Sequence, residues 1–106
     1  MRPGKKRSQM ALALEITPLA ARDLKEIAFY SDMNFGFATT DAYRSGLSSA
    51  IARLLDFPAV GPEIKIGQRS VRRIGFRSHV IYYQAVEDRL LILRVLHGSQ
   101  LPQLHL

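Results

Sequence analysis

The sequence predicts a small α+β domain in which an N-terminal strand and a helical hairpin precede a mainly antiparallel sheet of three to four strands. Three observations predict it. Residues 18–56 carry apolar side chains at three- and four-residue spacing, interrupted once at Asn34-Phe35-Gly36. Residues 64–97 are rich in β-branched, leucine and aromatic positions and are punctuated by short turn signals. With 106 residues, 47% of them apolar and 23% charged, the chain holds material for one modest core.

The elements follow in order. Leu12, Leu14 and Ile16 alternate with Ala13 and Glu15, which predicts a short strand with one buried face. Thr17-Pro18 then supplies an N-cap and a proline suited to the first helical position. The helix that starts there has Ala20, Leu24, Ile27, Ala28 and Ser31 on one face and ends near Asp32 to Asn34. Phe29 and Met33 fall on its opposite, charged side, where they read either as a partner surface or as two exposed apolar side chains. A second helix over about Phe37 to Asp56 carries the stripe Tyr43, Leu47, Ala50, Ile51 and Leu54, and Phe57-Pro58 stops it. A break this short predicts an antiparallel helical hairpin.

Ile64 to Ile66 is a short strand, Ser70 to Phe76 a longer one with Gly75 at a bulge position, and His79 to Val86 and Arg89 to His97 the strongest. Glu87-Asp88 between the last two predicts a hairpin. The apolar run Leu90 to Leu96 predicts a central strand covered on both faces. Arg94 interrupts that run, which a polar face or a buried ion pair with a helix carboxylate such as Asp23 accounts for. Tyr82 and Tyr83 are strand neighbours, so one is expected to face inward and one outward.

Charge is distributed unevenly. The net charge is +6. Residues 1–10 carry Arg2, Lys5, Lys6 and Arg7 without an acid and lack any periodic apolar pattern. They are expected to be a disordered basic extension, with residues 11–106 forming a single domain. Lys65, Arg69, Arg72, Arg73 and Arg77 form a basic run without an intervening acid. Such a run reads as a solvated basic face or as attraction to an acidic partner, nucleic acid or protein. No apolar run reaches the ~18–20 residues of a membrane span. The N-terminus lacks a secretory apolar run, so cytoplasmic residence is the expectation.

Chemical signatures are sparse. The absence of cysteine excludes disulfides, thiol catalysis and cysteine-based zinc sites. There is no nucleophile elbow, phosphate-binding glycine loop or His-Glu-x-x-His. His79 and His97 are expected near one another across a hairpin, but no third ligand is evident, so neither a metal nor a cofactor is expected. A metal-free ribonuclease would draw on Arg72, Arg73, Arg77, Arg94, His79, His97, Tyr82 and Tyr83.

Leu19 to Ile27, Tyr30, Phe35-Gly36, Ala42-Tyr43 and Leu47 resemble the helical half of ParE toxins, of the RelE/ParE superfamily of type II toxin–antitoxin systems. Pro58-x-x-Gly61, Arg72-Arg73, Ser78 to Tyr83 and Ile92 to His97 resemble that family's strand signatures in order and spacing. The resemblance spans about residues 12–106 and implies a RelE/ParE-like toxin domain. It further implies a toxin that inhibits DNA gyrase rather than a catalyst. It would be neutralised by a ParD-like antitoxin with a ribbon-helix-helix DNA-binding domain, and would meet operator DNA only through that antitoxin. The residues expected to face the target are Arg72, Arg73, Arg77, His79, Arg94 and His97, and those expected to face the antitoxin are Phe29, Met33, Lys65, Arg69 and Arg72. The alternative is a RelE-like ribosome-dependent mRNA endoribonuclease. Against it, His79 stands where those enzymes place Arg, Gly98-Ser99-Gln100 stands where they place a basic residue, and Leu101 to Leu106 lacks their C-terminal Tyr.

Overall fold

The computed structural model describes residues 12–106, so the extension expected at residues 1–10 lies outside the described residues. Strand β1 (Ala13–Ile16) leads into helix α1 (Pro18–Phe35) and helix α2 (Phe37–Asp56). Strands β2 (Glu63–Ile66), β3 (Arg69–Phe76), β4 (His79–Val86) and β5 (Arg89–His97) follow, then a 3-10 turn at Pro102–Leu104. The sheet order is β1-β5-β4-β3-β2, antiparallel except where β1 runs parallel to β5.

Local chemistry sets the element ends. Thr17 caps α1: its Oγ1 accepts from the Ala20 N–H at 3.2 Å and donates to the Leu93 carbonyl at 3.0 Å. One residue therefore starts the helix and ties it to β5. Gly36 separates the helices at φ 92°, a backbone region that side-chain-bearing residues rarely adopt, and its N–H closes α1 on the Asp32 carbonyl.

The helical hairpin covers one face of the sheet. Ala20, Leu47, Ile51 and Leu54 pack there on Ile81, Tyr83, Leu90, Ile92 and Val95. A second cluster of Ile66, Val71, Val80, Tyr82 and Leu96 fills the opposite face, with Leu93 and Leu106 against it. This two-sided cover corrects the expectation for Tyr82 and Tyr83. They alternate as the pleat requires, yet both are buried because each face has its own core. The phenol of Tyr83 also anchors the connection from α2 to β2. It donates to the Pro58 carbonyl at 2.8 Å and accepts from the Gly61 N–H at 2.9 Å.

Two further expectations are corrected. β1 forms, but Leu14 and Ile16 are exposed, because the strand sits at the sheet edge beyond the cover of the helices. Gly75 pairs regularly with Val80, and the ladder irregularity falls instead between Tyr82 and Tyr83, opposite β5. Arg94 does form the buried ion pair with Asp23: its Nε and Nη2 each donate to the carboxylate at 2.8 Å.

Candidate functional site

Helix α1 runs past the end of β1, and beyond Ile16 the outer edge of β5 has no strand partner. Asp23 takes that place. Besides Arg94, its carboxylate accepts from the Val95 N–H at 2.9 Å, while Arg94 Nη1 donates to the His105 carbonyl at 2.8 Å. The Asp23 hydrogen bond raises the Arg94 pKa further above its ordinary value, so the guanidinium is a permanent cation held inside the fold.

Beyond this clamp a groove of about 580 Å³ opens between the helices and the ends of β4 and β5. The β4–β5 register sets His79 opposite His97, and their rings meet edge to face at 5.7 Å. His79 Nδ1 lies 2.7 Å from the Tyr43 hydroxyl of α2. Tyr43 in turn meets Phe76 edge-on at 5.1 Å. Arg77 sits in the β3–β4 turn at φ 55°, with its guanidinium carbon 5.7 Å from the Tyr43 ring centre and 5.3 Å from that of Phe76. Aromatic faces thus hold a guanidinium that forms no ion pair among the described residues.

Protonation follows from the contacts. Burial, and then the neighbouring His97, push the His79 pKa below its ordinary value, with Asp23 opposing, so His79 is neutral at pH 7. Burial raises the Tyr43 pKa, with Arg77 opposing, so Tyr43 stays a phenol. A phenol is a better donor than acceptor, which assigns the shared hydrogen to Tyr43 and leaves the His79 proton on Nε2. His97 Nδ1 accepts from the Ser99 N–H at 3.1 Å and lies 2.8 Å from Ser99 Oγ. A backbone N–H only donates, so His97 Nδ1 is the acceptor there and the ring N–H is on Nε2.

The residues singled out from sequence divide in space. Arg77, His79 and His97 gather at the groove, and Arg94 forms part of its inner wall. Arg72 lies elsewhere, donating from Nη1 to the Gly61 carbonyl at 2.7 Å. The pleat splits the basic run. Arg69 and Arg73 share the face of Val71, away from the helices, while Arg72 shares the face of Ile74 and Phe76. Phe29 and Met33 are 68% and 71% exposed, and neither lines the groove. Lys65, Arg69 and Arg72 stand on β2 and β3, at the sheet edge opposite β1. The two parts of the expected antitoxin surface therefore stand on separate elements. Sequence reading placed Tyr43 in the core stripe and passed over Tyr30 and Phe35 as groove residues. The polar tip of Tyr43 was the available signal.

Among the described residues no helix is long and apolar enough to cross a membrane. The family model described as "ParE toxin of type II toxin-antitoxin system, parDE" matches residues 14–102. Toxin ParE1 of Caulobacter vibrioides is 32% identical over 87 residues, covering 82% of this chain and 90% of that protein. A solved chain of the "Chromosomal ParDE TA system from P. aeruginosa" superposes with a TM-score of 0.72 at 16% identity, covering 85% of this chain and 99% of that one. At that identity the likeness concerns the fold alone.

Proposed function

The chain belongs to the ParE toxin family of type II toxin–antitoxin systems, and from that membership we propose that it inhibits DNA gyrase in the cytoplasm and is neutralised by a ParD-like antitoxin. The antitoxin would bind the chain directly, supply a ribbon-helix-helix DNA-binding domain, and bring the pair to operator DNA. The observation that carries this reading is that α1 borders two exposed surfaces on neighbouring faces. One is the apolar side of Phe29 and Met33, suited to an amphipathic partner segment. The other is the groove with Arg77, His79 and His97, a cationic and hydrogen-bonding surface suited to the target. Arg73 on the far face adds a cation for the target, and Arg72 and Arg94 hold the loop and the α1 clamp in place. Lys65, Arg69 and Arg72 offer an acidic wrapping segment its counter-charges.

An RNA-cleaving reading rests on the His79–His97 pair beside Arg77. Tyr82 and Tyr83 are buried and Tyr43 is engaged with His79, which leaves Tyr30, 63% exposed in the groove lining, as the phenol such chemistry would have to use. Gyrase supercoiling assays with the purified chain test the proposal. Inhibition is expected, and its loss on combined Arg77→Asn, His79→Gln and His97→Gln in a folded variant. Unimpaired gyrase together with truncated ribosome-bound mRNA would overturn it.

A further inference from the structure

We propose that the groove beside α1 binds one nucleotide unit, its phosphate on Arg77, His79 and His97 and its base on Tyr30 and Phe35. This does not depend on gyrase being the target. Three donor groups line the groove. The Arg77 guanidinium is fixed against Tyr43 and Phe76 with no carboxylate partner among the described residues. His79 and His97 each have Nδ1 engaged, by Tyr43 and by Ser99, which leaves an Nε2–H on each ring without a protein acceptor among the described residues. Their ring centres are 5.7 Å apart, so one anion with several oxygens can accept from both.

Two exposed aromatic rings line the same groove. Tyr30 and Phe35 meet edge-on at 6.3 Å and are 63% and 64% exposed. Rings held at such an angle present a flat face to a base, and stacking of that kind tolerates any base. The groove volume of about 580 Å³ lies in the range of small-ligand sites. Glu26 also lines the wall and has no ion-pair partner among the described residues, so it opposes a phosphate and sets a limit on affinity.

The test follows the imidazole resonances of the full-length chain by NMR at constant pH and ionic strength. Inorganic phosphate, a nucleoside, a nucleoside monophosphate and a short single-stranded oligonucleotide are added separately. His105, outside the groove lining, serves as the internal reference. Saturable shifts of His79 and His97 without His105 are expected, with the monophosphate binding about tenfold more tightly than phosphate or nucleoside alone. Arg77→Asn, which suits the left-handed backbone there, should weaken the monophosphate about tenfold, whereas Glu26→Gln should strengthen it. Tyr30→Ala with Phe35→Ala should reduce the monophosphate to the affinity of phosphate. Monophosphate against oligonucleotide distinguishes a free nucleotide from a strand as the source. Shifts shared with His105, equal affinities for monophosphate and phosphate, or indifference to Arg77→Asn in a folded variant would each overturn the proposal.

Discussion

Asp23 on α1 and Arg94 on β5 are joined by two hydrogen bonds of 2.8 Å, and the same carboxylate accepts a third from the Val95 N–H. Their side chains are only 7% and 13% exposed. Asp23→Ala would strand a buried guanidinium and an unpaired N–H together, at a cost of about 3–5 kcal/mol. Asp23→Asn keeps an acceptor and should cost less, on the order of 1–3 kcal/mol. Urea unfolding of the three proteins checks both the size and the order.

Tyr83 and Gly61 offer a second test of stability. Tyr83→Phe removes the partner of the Gly61 N–H and should cost about 1–3 kcal/mol with little change in packing. Gly61→Ala should be worse, since a Cβ there would meet the Arg73 carbonyl oxygen at 2.4 Å and the Tyr83 hydroxyl at 2.7 Å. A shift of backbone is then unavoidable. Unfolding midpoints should fall in the order wild type, Tyr83→Phe, Gly61→Ala.

His79 predicts a pH dependence. Burial and His97 lower its folded pKa below the ordinary 6.5, so the unfolded chain binds more protons as pH falls. The stabilising contribution is fully present above about 6.5 and is lost as pH drops towards the folded value. His79→Gln should flatten that part of the stability profile. The lowered Glu63 carboxyl, held mainly by the Ser70 hydroxyl, acts only below its ordinary 4.5 and is separable by pH.

The apolar side of α1 predicts antitoxin behaviour. Phe29→Glu with Met33→Glu should weaken the antitoxin Kd at least about tenfold, because two exposed apolar contacts become charged. Neutralising Lys65, Arg69 and Arg72 together should weaken it further at low salt and little at high salt. Calorimetry at two ionic strengths separates the two effects.

Much of the fold was legible because local signals agreed. Thr17-Pro18 opened α1, Phe57-Pro58 followed α2, and Arg94 within an apolar strand pointed to the ion pair with Asp23. What was not legible depends on long-range pairing. Nothing in residues 13–16 states that their partner is residues 89–92 or that the strand is an exposed edge. The basic run looked continuous in sequence, yet the pleat sends Arg72 and Arg73 to opposite faces. The groove was half visible: His79 and His97 followed from the hairpin, whereas the Tyr43 hydrogen bond to His79 spans 36 residues of chain. Only packing of α2 onto β4 creates it.

If this ParE-family chain acts on DNA gyrase as proposed, the enzyme should be trapped on cleaved DNA. The most direct measurement adds the purified, antitoxin-free chain to gyrase, ATP and supercoiled plasmid, removes protein with a protease, and resolves the DNA. Linear plasmid that requires both gyrase and the chain, and that disappears when antitoxin is added first, is the predicted result. Plasmid supercoiled as in the control, with the chain shown to be folded, would mean that gyrase is not the target.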